Sequence, residues 1–296
     1  MTRLEAIVGG ETFDLSDRLV RSHLGNDGFG LPPVSRKTER GPFQHGTSPK
    51  GIRLEPRTIQ LVLMAYGDTE DDYYARRDEL AYIFSPSDDL IKLRFTLPSG
   101  AVRQIDCAYN GGPTLPSSDR YGNSQKVAVS LVADDPTWYD PTGVTVSFGV
   151  SAGGSAFNVP LAVPVNVGSS TLDQSVSVAY TGSWDAYPVV SIYGPIANPV
   201  VTNTTTGDKL DFTGTTIGAG DIYTIDTRYG SKRVYRNVNL ADNRINELTT
   251  DSNLATFRVY RKRAVPGGVN TFRVTGTGAN QVTQVYLAYN PRFVSV

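Results

Sequence analysis

Apolar and polar side chains alternate with a period of two along most of this chain, which predicts strands. Val127, Val129 and Leu131 alternate with Ala128, Ser130 and Val132, and the run then stops at Asp134-Asp135-Pro136. Trp138 and Tyr139 follow, and Asp140-Pro141 repeats the Asp-Pro stop. Aspartates that bond their own backbone and prolines that lack a donor end strands. This aromatic plug between two stops predicts a domain seam, with one domain over 1–138 and a second over 139–296.

Before the seam, residues 1–24 predict one or two short strands, from Leu4, Ile7, Val8, Phe13 and Leu15. The stretch 25–51 is rich in Gly, Pro and charge and predicts a long loop, either an arm or interface loop or a plain surface excursion. Residues 57–65 predict a strand with Ile59, Leu61 and Leu63 on one face. The one convincing helix follows. Asp68 or Thr69 can cap it, Glu70, Asp71 and Asp72 suit its positive end, and Tyr73, Arg77, Leu80 and Phe84 form its stripe before Pro86 ends it. Ile91, Leu93, Phe95 and Leu97, then Ile105, Cys107 and Tyr109, predict a hairpin turning at Pro98-Ser99-Gly100. A loop is expected from Asn110 to about Gly122.

After the seam the helix signal vanishes. Strands are expected at 144–150, 157–167, 176–180, 189–193, 200–202, 209–212, 222–226, 256–263, 269–275 and 282–288, with room for a helical turn at 240–248. Pro160 and Pro164 place the second of these at an edge or a bulge. The spacing is that of a β-sandwich. The fold class is therefore mainly β: a β-rich N-terminal domain with one α-helix, then a β-sandwich.

Length and charge refine this picture. The 296 residues are comfortable for two cores. The net charge of -1 supplies no field to recruit nucleic acid or an anionic membrane. Residues 1–140 carry 16 basic and 20 acidic side chains, and residues 141–296 carry 12 and 9. No apolar run is long enough for a signal peptide or a membrane span. Cys107 is the single cysteine and falls on the apolar phase of its strand, so it reads as a core residue.

Candidate chemistry is sparse. His23 and His45 have no neighbours suited to a triad or a zinc site. Glu70, Asp71 and Asp72 read as helix-start charge and not as a metal site. The Arg258, Arg261, Lys262, Arg263 cluster reads as the outer face of a strand more than as a phosphate patch. Asn203-Thr204-Thr205 matches a glycosylation acceptor. No phosphate loop, dinucleotide fingerprint or nucleophile elbow is present. Catalytic, cofactor and metal residues are expected to be none.

Several motifs resemble those of the distal tail proteins of long-tailed, non-contractile bacteriophages. They are Gly41-Pro42-Phe43-Gln44-His45-Gly46 with Arg57 heading the next strand; Gly67-Asp68-Thr69 to Phe84-Ser85-Pro86; Tyr109-Asn110-Gly111-Gly112; and Asp135 to Asp140 at the seam. In the second half they are Tyr187-Pro188 to Gly194-Pro195, Asn203 to Asp208, Gly220-Asp221 with Ile225-Asp226, and Pro266 to Asn270. The resemblance implies a structural virion protein with no enzymatic activity. It implies a homo-hexameric ring of N-terminal domains with a galectin-like sandwich outside it. The implied partners are the tail tube protein, the tail-tip hub protein and the tape-measure protein, and the implied location is the phage tail tip, after synthesis in the host cytoplasm. Sugar binding is not carried over, because the second half contains Trp184 but no His. The alternative is a β-sandwich carbohydrate-binding or adhesin module using Trp184, Tyr187 and Tyr193.

Overall fold

The longest uninterrupted pairing joins 57–66 to 124–133, where alternation puts every second side chain inward. The computed structural model describes residues 3–16, 20–22, 25–150 and 170–296, and they divide into two units, 1–141 with 292–296 and 142–291. His23 and the expected strand at 157–167 lie outside the described residues.

The first unit begins with β1 (Arg3–Val8), β2 (Glu11–Asp14) and β3 (Val20–Ser22). Next come β4 (Val34–Glu39), β5 (Ser48–Leu54), β6 (Arg57–Tyr66) and helix α1 (Glu70–Ile83). Strands β7 (Ile91–Thr96), β8 (Val102–Thr114), β9 (Arg120–Tyr121), β10 (Ser124–Ala133) and β11 (Trp138–Tyr139) complete this part. The main sheet runs in the order β2-β1-β7-β8-β10-β6-β3. Strands β6 and β10 pair antiparallel over ten residues, from Arg57 opposite Ala133 to Tyr66 opposite Ser124. Ile59, Leu61 and Leu63 of β6 and Val127, Val129 and Leu131 of β10 are buried in one core with Leu80, Ile83 and Phe84 of α1 and Trp138.

The helix starts where the charge pattern places it. Thr69 accepts the Asp72 N–H at 3.1 Å while the Asp72 carboxylate accepts the Thr69 N–H at 3.1 Å, a reciprocal cap. Tyr73 anchors the helix to the sheet by donating to Gln125 Oε1 at 2.5 Å. Cys107 is buried, and burial pushes its thiol up to about 12, as suits a core residue.

The second unit holds β12 (Val144–Gly149), β13 (Ser170–Ala179), β14 (Val189–Tyr193), β15 (Ile196–Asn203) and β16 (Lys209–Asp211). It continues with β17 (Thr216–Ile217), β18 (Ile222–Asp226), β19 (Arg233–Arg236), β20 (Asn239–Asn243), β21 (Val269–Ala279) and β22 (Gln284–Tyr289). One sheet runs β12-β22-β14-β18-β19-β20, and the other runs β13-β21-β15-β16 with β17 on β15. Phe148, Val190, Ile225 and Leu287 of the first sheet share a core with Leu172, Val201, Phe272 and Val274 of the second, so this unit is a two-sheet sandwich. The last strand, β23 (Arg292–Phe293), belongs to the first unit and pairs with β11, Trp138 opposite Phe293.

Several stretches differ from expectation. The loop expected from Asn110 to about Gly122 contains the end of β8 and all of β9. The loop expected at 25–51 contains β4 and most of β5, which among the described residues pair only with each other. None of their side chains is buried. The strand expected at 256–263 is irregular apart from one bridge, Val259 to Ala186. Two of its backbone donors go to side chains: the Tyr260 N–H to Asn270 Oδ1 at 2.9 Å and the Arg261 N–H to Asp185 Oδ1 at 3.0 Å.

Candidate assembly surfaces

The β4–β5 hairpin is an arm, and its root is built from buried groups. Arg57 is only 1% exposed. Its guanidinium donates to the carbonyls of Gly28 at 2.8 Å, Gly30 at 2.9 Å and Val294 at 2.7 Å. Burial lowers its pKa to about 10, which still leaves it a cation at neutral pH. It also lies 5.9 Å from the Trp138 ring centroid, and Trp138 stacks on Phe29 at 5.7 Å. One side chain therefore ties together the start of the arm, strand β6 and the C-terminal tail. Gly28 is required here: its φ is +89°, and a Cβ would lie 2.3 Å from the Thr58 carbonyl. The root closes where the Glu55 N–H meets the Pro33 carbonyl at 2.9 Å.

The tip is equally ordered. Gln44 accepts the Gly41 N–H on Oε1 at 3.1 Å, donates from Nε2 to Ser48 at 2.8 Å, and receives Arg40 Nε on its carbonyl at 3.1 Å. This turn holds Phe43 outward, 99% exposed. Ile52 at 64% and Val34 at 51% are exposed along the strands. Val34 faces Leu54 and Arg36 faces Ile52 across the pair, so the pleat puts these four on one side. A two-stranded ribbon with exposed apolar groups is marginal in water by itself and calls for a covering partner.

The candidate residues for chemistry are placed elsewhere. Glu70, Asp71 and Asp72 sit in the first turn of α1, and Glu70 pairs with Arg120 at 2.8 Å. Among the described residues, no group of three or more His, Cys, Asp and Glu could hold a metal ion. His45 lies at the exposed arm tip.

In the second unit the expected basic strand face is instead irregular, and one acid offsets part of its charge, with Lys262 and Arg263 left exposed. Asp185, buried, reaches Arg258 at 3.4 Å and Arg261 at 3.9 Å. Arg261 lies 4.0 Å from the Trp184 ring centroid, so the face of that ring is covered. Tyr187 packs edge-on to Tyr229 at 4.6 Å, and burial raises its pKa. Tyr193 is exposed beside Tyr286 at 5.5 Å. Asn203 is fully buried and donates to Asn270 Oδ1 at 3.2 Å, so it cannot accept a glycan in the folded chain. Nothing in the local sequence around Arg57 marks it as a buried clamp; the Gly28-Phe29-Gly30 carbonyls it needs lie far upstream.

Residues 19–133 match the family described as phage tail protein RIFT-related domain. No curated protein sequence matches the chain. Among solved structures the chain is similar to SPP1 Dit, described as a paradigm of the hub adsorption apparatus in phages infecting Gram-positive bacteria. The identity is 15% and the TM-score 0.60, with 98% of this chain and 99% of that chain covered. It is also similar to a chain of the phage P2 baseplate in its activated conformation, at 13% identity and TM-score 0.45, covering 97% and 98%. Residues 19–133 thus match a phage tail protein RIFT-related domain, and the chain as a whole shares its fold with SPP1 Dit.

Proposed function

We propose that this protein is the subunit of a hexameric ring at the distal end of a phage tail. The ring joins the tail tube to the tail-tip hub protein, close to the tape-measure protein. The observation that carries the reading is the arm: a hairpin with no further sheet partner among the described residues, fixed at its root by Arg57 and displaying Val34, Phe43 and Ile52. A contact between two different patches of the same chain closes into a ring when its rotation allows, and such a contact would cover these groups. The count of six comes from the resemblance to distal tail proteins. In this reading the N-terminal domain, 1–138, forms the ring, and the sandwich of 139–296 is a galectin-like module. The role is structural and involves no turnover.

The adhesin alternative finds less support. Of its three aromatics, Trp184 is covered by Arg261 and Tyr187 is packed against Tyr229, which leaves Tyr193 beside Tyr286. Electron microscopy of the purified full-length protein, with its mass in solution, tests the proposal. Six-fold rings are expected. A monomer at the highest attainable concentration would contradict it.

A further inference from the structure

The basic stretch of the second unit keeps much of its charge. Residues 252–270 carry Arg258, Arg261, Lys262 and Arg263 and no acid. As the outer face of a strand these cations would alternate along a pleat, but the stretch is irregular. Two of them converge on one buried acid instead. Asp185 lies 3.4 Å from Arg258 Nη1 and 3.9 Å from Arg261 Nε. Both separations exceed the about 2.7–3.2 Å of a made N–H···O bond. The Nε of each guanidinium has no hydrogen-bond partner. Asp185 therefore places the two cations side by side and offsets only part of their charge.

Aromatic rings hold the same pair. Arg261 lies 4.0 Å from the Trp184 ring centroid, and Arg258 lies 4.8 Å from that of Tyr260. Tyr260 is itself fixed, because its hydroxyl donates to Asp208 at 2.5 Å. A guanidinium stacked on a ring keeps its planar fork oriented and loses little freedom on meeting an anion. Lys262 and Arg263 follow in the next turn, exposed and with no ion-pair partner among the described residues. Lys232 donates to the Ala255 carbonyl at 2.6 Å and lies over the Tyr229 ring at 4.7 Å, a further cation beside the cluster. The contacts bring two acids to these cations, Asp185 and Asp208, and Asp208 also accepts the Thr206 and Thr256 hydroxyls.

We propose that this cluster is a binding site for a phosphate group, held by Arg258 and Arg261, with Lys262 and Arg263 supplying further charge. Arginine forks match phosphate oxygens two at a time. A phosphate monoester carries about −1.5 to −2 charges at pH 7, enough to offset a surplus that one carboxylate would leave largely standing. The faces of Trp184 and Tyr260 already lie under guanidiniums, so a nucleobase or a sugar ring has no open face there to stack on. The site thus reads the phosphate and not what carries it. The chain as a whole has a net charge of -1, so the attraction is local to this cluster. It stands whether or not the chain forms a ring.

Titration of the full-length protein with inorganic phosphate, glycerol 3-phosphate and succinate, followed by calorimetry at low and high salt, tests the site. Both phosphates should bind, and succinate, a dianion of carboxylates, should bind at least about tenfold more weakly. Equal affinity for the two phosphates identifies the free ion as sufficient; tighter binding of glycerol 3-phosphate identifies an ester as the natural form. Added salt should weaken both. Arg261→Lys keeps the charge but loses the fork, and should weaken phosphate binding about tenfold. Lys262→Ser with Arg263→Ser should weaken it several-fold and leave thermal melting unchanged, since both side chains are exposed. The site is overturned if the parent binds neither phosphate, if succinate binds as tightly, or if the exposed double variant binds as the parent does. Should Arg261→Lys fail to fold, the exposed double variant and the succinate comparison still decide the matter.

Discussion

The hairpins β7–β8 and β4–β5 belong to the same unit and obey the same pairing rule, yet they finish in opposite surroundings. In β7–β8, Leu93 faces Ile105 and Ile91 faces Cys107, and all four are buried. In β4–β5, Arg36 faces Ile52 and Val34 faces Leu54, with Val34, Arg36 and Ile52 open to solvent. The first hairpin is held by the core beneath it. The second is held at its two ends, by Arg57 at the root and Gln44 at the tip, and Val34, Arg36 and Ile52 between them stay exposed among the described residues. A hairpin stabilised at its ends and left apolar between them is shaped for something outside its own chain.

Four measurements sharpen that contrast, beginning with the largest effect. The Cys107 thiol, pushed up to about 12, should react on the order of a thousandfold more slowly than a free cysteine in the folded protein, whereas Ile52→Cys on the arm should react freely; thiol-labelling rates check both. The same shift has a sign in stability. The folded value lies above the ordinary 9.0, so the unfolded chain releases this proton first as pH rises. The contribution is complete below about pH 9 and is lost by about pH 12, which base titration of the unfolding free energy would register.

Next, Leu93→Ala in the buried hairpin should cost roughly 2–5 kcal/mol by denaturant unfolding. Ile52→Ala on the arm should change the stability of the unassembled protein by less than about 0.5 kcal/mol. Equal costs would mean that the arm is packed after all. Third, Arg57→Met leaves three carbonyls without their donor and should cost roughly 3 kcal/mol. Faster amide exchange around 28–30 and at the C-terminal tail should accompany it, because those segments share the clamp. The smallest effect is Thr69→Ala, which removes the helix cap and should cost about 1 kcal/mol, seen as a modest fall in melting temperature.

The contrast also explains what could be read from the residues alone. Strands β6, β7 and β14 were legible because each alternates over a core. Thr69 and its three acids announced the helix start. The arm was not legible as strands, since Val34-Ser35-Arg36-Lys37-Thr38-Glu39 has no buried face to mark. The stretch around Phe257 and Val259 misled for the opposite reason. Both residues are buried in alternation, but the Phe257 N–H turns back to the Asn253 carbonyl and the Tyr260 and Arg261 N–H groups go to the Asn270 and Asp185 side chains, so no ladder extends along the stretch. The Arg57 clamp and the pairing of β11 with β23 join segments from distant parts of the chain and leave no local pattern. Among the surfaces, the arm tip falls on the motif at 41–46, inside a stretch that read as a long loop, either an arm or a plain surface excursion.

The most direct test of the account is the oligomeric state of the full-length protein beside a version in which residues 34–54 are replaced by a short Gly-Ser linker. The account predicts rings for the former and a folded monomer, with an undiminished melting transition, for the latter. Rings formed without the arm would contradict it.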